Sequence, residues 1–173
     1  MSAPAGRRKK RLRVMVDETS AMGADTTHDI SSSLTALLAD FFAIYVKTEY
    51  CHWHLPALCF RNYHTLLDAQ ADQIFATLKT IAERTRNIIG ITLRSTGQAS
   101  QLRRLADNNA DFVIPSHTLA ELQKDNTHMA SFMREIHRLC DEHGDVATAS
   151  FLGSWIDEAE QRAWFLFESC RIR

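Results

Sequence analysis

The sequence has few of the residues that break helices and build turns: six glycines and three prolines among 173 residues. That scarcity excludes collagen-like and Pro-rich disordered chains and disfavours a sandwich of many short strands. Its four cysteines, Cys51, Cys59, Cys140 and Cys170, form no Cys-x-x-Cys pair or other close-spaced pattern. A zinc ribbon and a secreted disulfide scaffold are thereby disfavoured, and a reduced, cytoplasmic protein is expected. No long hydrophobic run is present either. The longest near-apolar stretch, Leu34 to Val46, is interrupted by Asp40 and falls short of the roughly 20 residues that span a bilayer. The segment after the basic N-terminus, "VMVDETSAMGADTTHD", has no apolar core of the signal-peptide kind. No membrane partner is expected.

A surplus of one charge is also missing, since the formal net charge is −1. The balance conceals an asymmetry, because residues 1–16 hold Arg7, Arg8, Lys9, Lys10, Arg11 and Arg13 and no acid, leaving a body with 14 basic and 21 acidic residues. Residues 1–28, basic and then small and polar, read as a flexible arm. Residues 29–173 read as one all-α domain. A first helix is capped in the "SSS" that begins at Ser31, carries a stripe through Leu34, Leu37, Leu38, Phe41 and Tyr45, and stops before Pro56. A second runs from about Phe60 to Ile89, with Gly90 as its C-cap. A short helix lies within 97–109, a third long one opens at Pro115 and closes at Gly144, and Asp145 caps a fourth whose stripe includes Phe151, Leu152, Trp155, Ile156, Ala159 and Trp164. Four long helices with a crossover, carrying a short helix, between the second and third have the connectivity of a ferritin-like four-helix bundle.

Chemistry concentrates where the first two long helices meet. His52 falls under Leu34 after five full turns, and His64 and Asp68 share one face of the second helix at i,i+4 spacing. A hairpin brings the three to one level, and imidazole plus carboxylate suits iron or another first-row divalent metal. A histidine on a core stripe is equally the mark of a hydrogen-bonded structural residue. Trp53 and Phe60 read as packing, and His54 as a solvated neighbour. Asp68 and Lys79 lie about 16 Å apart along one helix at 1.5 Å per residue. Glu83 therefore cannot join His64 at one metal within a single chain. A two-fold dimer with antiparallel second helices would bring it from the neighbouring subunit.

The ordered motifs "HW", "YH", "LLD", "ADQIFA", "IAER", "TLRS", "LQKDN" and "DEHGDVATASFLGSWIDEAEQRAWFLF" closely resemble the Dps family, the DNA-protecting mini-ferritins, over residues 29 to 169 or so. The resemblance implies a dodecameric shell built from two-fold dimers. It also implies a ferroxidase that oxidises Fe(II), preferably with hydrogen peroxide and otherwise with oxygen, and stores the ferric mineral. His52, His64 and Asp68 match the ligands from one subunit and Glu83 the Glu from the other.

Lys79 stands where the family has Asp, and an ammonium about 4 Å from a unit positive charge costs roughly 4 kcal/mol at an effective dielectric near 20. Glu49 stands where close relatives commonly carry Lys, so the two differences resemble an exchange of charge. Glu49 and His52 also form the chain's single Glu-x-x-His. Glu49 is thus a candidate ligand, or a partner for Lys79 across the interface; a degraded centre in a DNA-compacting shell is the alternative. The arm "GRRKKRLR" suits non-specific DNA binding through phosphates, and so association with the nucleoid. By family analogy Glu142 and Asp145 are pore candidates.

Overall fold

The computed structural model describes residues 23–55, 61–109 and 114–171. Five helices form: α1 (Ala24–His54), α2 (Arg61–Asn87), α3 (Thr96–Leu102), α4 (Pro115–Glu142) and α5 (Val146–Arg171). There is no strand among the described residues. The helices pack as two hairpins, α1 on α2 and α4 on α5; α1 also lies against α4 and against the short α3 of the crossover.

The first helix starts earlier than its serines suggest. It opens at Gly23, without a side-chain cap, so residues 24–28 belong to the helix and not to the arm. Ser31 is buried inside it, its hydroxyl donating to the His28 carbonyl at 3.1 Å. The extra turn is held by Ile30, which extends the Leu34, Leu37, Phe41 and Ile44 stripe into the core. At 31 residues, α1 is long and apolar enough to cross a membrane by length and composition alone. Its apolar side chains are instead inserted among Ile74, Ile81, Met129, Met133 and Leu152.

Asp40 sits in that stripe with 0% exposure. Its carboxylate accepts the Arg104 backbone N–H at 2.5 Å and Arg104 Nε at 2.8 Å. A buried carboxylate is tolerated only when paired and hydrogen-bonded, and this pair fastens the crossover to the middle of α1. Lower on α1, Lys47 binds Asp125 at 2.5 Å and Glu121 at 2.7 Å on α4, and the Ala106 carbonyl at 3.0 Å.

At the end of α2 the two turn residues divide the task expected of Gly90. Ile89 takes the left-handed conformation, with φ 64°. Gly90 serves close packing: a Cβ there would lie 2.4 Å from Ser31 Cβ and 2.8 Å from the Thr85 carbonyl oxygen. Between α4 and α5, Gly144 has φ 71°, and Asp145 N–H bonds back to the Cys140 carbonyl at 2.9 Å, a helix stop of the kind glycine permits. On α5 the core stripe is Leu152, Trp155, Ala159, Arg162, Ala163 and Leu166. Phe151 and Trp164, expected inside, are exposed at the surface of the subunit. The helix carries more aromatic side chains than the core has room for, so periodicity alone does not separate inner from outer ones.

Candidate metal centre

The last turn of α1 and the first turns of α2 place His52, His64 and Asp68 together. His52 Nε2 is 3.2 Å from Asp68 Oδ1, and the His52 and His64 rings meet edge to face at 4.5 Å between centroids. His52 is half-buried; Asp68 is largely exposed. His54 turns away, its Nδ1 2.8 Å from the Tyr50 carbonyl. Trp53, expected to pack, is 65% exposed beside them; Phe60 lies outside the described residues. Among those residues no three His, Cys, Asp or Glu side chains close into a ready-made metal site. The three groups have the donor chemistry for a first-row metal and leave one side open.

Lys79 and Glu83 lie further along α2, exposed and 3.7 Å apart. Glu49 is half-buried on α1 one turn before His52, on the same face. The Tyr45 hydroxyl bonds to Glu49, and its pKa is raised by partial burial, then by the Glu49 carboxylate, and further by the charge of Asp72. Tyr45 also packs on Phe75, ring centroids 5.4 Å apart. Asp72 was absent from the sequence reading, although it continues the four-residue spacing of His64 and Asp68 and so belongs on their face.

The interior of the bundle holds a buried cation. Arg162 of α5, 2% exposed, donates from Nε to Asn126 Oδ1 at 2.8 Å and from Nη1 to Gln73 Oε1 at 2.7 Å. Burial pushes its pKa down to about 10.

Of the remaining candidates, Glu142 is exposed at the end of α4. Asp145 is buried; it accepts the Thr148 N–H at 3.1 Å, capping α5, and the Arg84 guanidinium at 2.7 Å. Its carboxylate is committed inside the subunit, which removes the basis for its expected pore role. Arg7, Arg8, Lys9, Lys10, Arg11 and Arg13 lie outside the described residues.

Residues 32–170 match the model of the ferritin-like domain family. The chain belongs to the ferritin-like family. Within it, a low-temperature-induced protein of Nostoc sp. is 31% identical, the match covering 75% of this chain and 73% of that one. The DNA protection during starvation protein of Agrobacterium fabrum is 28% identical over 77% and 82%. A Dps homologue from Halobacterium salinarum superposes with a TM-score of 0.83 at 23% identity, covering 88% of this chain and 85% of that one. With these relatives the ferritin-like chain groups with the Dps proteins. The all-α bundle expected from the sequence is the one observed.

Proposed function

We propose that this Dps-family chain assembles as a dodecameric shell of two-fold dimers, oxidises Fe(II) at sites between subunits and stores the ferric product. The observation that carries this reading is the convergence of His52, His64 and Asp68 on one open face. Two imidazoles and one carboxylate, with Glu83 of the partner subunit, would hold Fe(II) as substrate. Neutral imidazoles and anionic carboxylates stabilise the added positive charge of Fe(III), and hydrogen peroxide, or oxygen, accepts the electrons. The test is stopped-flow Fe(II) oxidation by each oxidant on the assembled shell. His52→Ala and His64→Ala are expected to slow it at least tenfold, and unchanged rates would overturn the site.

The basic arm supplies the second half of the proposal: it holds DNA phosphates without reading sequence, and the shell resides in the cytoplasm with the nucleoid. A shell carrying several arms gains avidity, and each arm adds up to about 5 to the salt slope. Deleting residues 1–16 while keeping the shell intact is expected to abolish plasmid retardation at moderate salt. Retention of that binding would remove the arm from the function.

Lys79 favours a second reading, a DNA-compacting shell whose iron centre is altered. Comparing Glu49→Ala and Lys79→Asp with wild type in the same oxidation assay separates the two. Compensation by Glu49 predicts loss of activity in Glu49→Ala; a degraded centre predicts no change there and a gain in Lys79→Asp.

A further inference from the structure

The outward stripe of α2 carries Asp68, Asp72, Phe75, Lys79 and Glu83, all exposed. Phe75, at 61%, is the one large apolar side chain that α2 exposes among the described residues. In an isologous contact, positions equally far from the two-fold axis face one another. If the partner's Glu83 lies opposite His64, the partner's Lys79 lies opposite Asp68 and the axis crosses between Gln73 and Ile74. The outward residues nearest that axis are Asp72, Phe75 and Ala76. The register that completes the metal site therefore also covers Phe75 with the same region of the partner subunit. One requirement is chemical and the other apolar, and a single register meets both.

In that register the partner's Lys79 stands level with Asp68, beside the end of α1. Glu49 waits one turn before His52, and Asp72 one turn after Asp68. Both act on the Tyr45 hydroxyl, Glu49 by a hydrogen bond and Asp72 through its charge, and neither forms an ion pair among the described residues. Among the described residues Lys79 has only the long, exposed contact to Glu83 of its own chain, a kind of pair worth little, and on the intersubunit reading Glu83 serves the neighbouring site. We infer that the partner's Lys79 enters the centre as a fixed cation. Held by Glu49 and Asp72, it takes the place of a second metal ion, and the site binds a single ion on His52, His64, Asp68 and the partner's Glu83. This rests on the intersubunit reading above.

The test is anaerobic calorimetric titration of the assembled shell with Co(II), which neither oxidant nor catalysis enters. Wild type is expected to bind one ion per site, and Lys79→Asp two. Two ions in wild type, or one in an assembled Lys79→Asp shell, would overturn the inference. Should Lys79→Asp fail to assemble, Lys79→Met keeps the stem without the charge; a second ion, held by Glu49 and Asp72, supports the inference and its absence counts against it. His52→Ala separates the two levels: if it leaves Co(II) binding intact, the site itself is wrong. If it abolishes binding while the Lys79 variants stay at one ion, only the role of Lys79 is wrong. The register has its own readout, because Phe75→Cys next to the axis is expected to cross-link subunits in pairs on mild oxidation. Failure to cross-link in an intact shell would contradict it.

Discussion

His52 Nε2 and Asp68 Oδ1 are 3.2 Å apart across the α1–α2 hairpin, joining the end of one helix to the start of the next at the surface of the subunit. Such an exposed pair contributes at most about 1 kcal/mol to stability, so its energetic role lies elsewhere. Asp68→Asn keeps the shape and removes the charge. Fe(II) oxidation is expected to fall at least tenfold, about 1.4 kcal/mol of barrier. The melting temperature should move by no more than about 4 °C. A parallel loss of both, measured by stopped flow and calorimetry, would make the contact structural.

Two glycines should respond in opposite directions. Gly90→Ala drives a methyl into Ser31 and the Thr85 backbone, and overpacking against backbone costs about 1–3 kcal/mol. Gly153 lies inside α5 with nothing within 4 Å of an added Cβ, so Gly153→Ala should stabilise the subunit by up to about 1 kcal/mol. Urea unfolding of the two variants checks the signs.

Arg162 donates to the amide oxygens of buried Asn126 and half-buried Gln73, on different helices. Arg162→Ala leaves Asn126 and Gln73 without their donor and opens a cavity. Each orphaned acceptor costs about 1–3 kcal/mol, giving an expected loss of about 3 kcal/mol or more by denaturant titration. Arg162→Lys restores the charge but not the fork, and recovery should be incomplete.

Burial, followed by the charges of Glu121 on Cys51 and Asp145 on Cys140, pushes both thiols up to about 12 from 9.0. Both stay neutral at pH 8, and iodoacetamide mapped by mass spectrometry should label neither in the native shell. Because the folded values lie above the unfolded ones, their stabilising contribution is complete below pH 9 and is lost as the pH rises towards 12. Replacing both by Val should flatten the decline in stability over that window.

The four long helices and their crossover were legible because apolar periodicity and the breaks at Pro56, Gly90 and Gly144 act locally. The start of α1 was not, since no capping side chain marks Gly23 and the serines that resemble a cap are buried further in. His52, His64 and Asp68 could be placed on one level from spacing alone. The packing of Tyr45 on Phe75, the bond from Tyr45 to Glu49, the interior position of Arg162 and the capture of Asp145 by Arg84 depend on residues distant in sequence. Lys79 and Glu83 show half of a geometry whose other half belongs to a second chain.

The pairing of Asp40 with Arg104 also bears on how the chain is made. Asp40 is the one charged group in the apolar stretch from Leu34 to Val46, and its partner is 64 residues away. At about 5–20 residues per second, roughly 3 to 13 seconds of synthesis separate the two. During that interval the longest and most apolar helix of the protein carries an unpaired carboxylate and has nothing to pack against except α2.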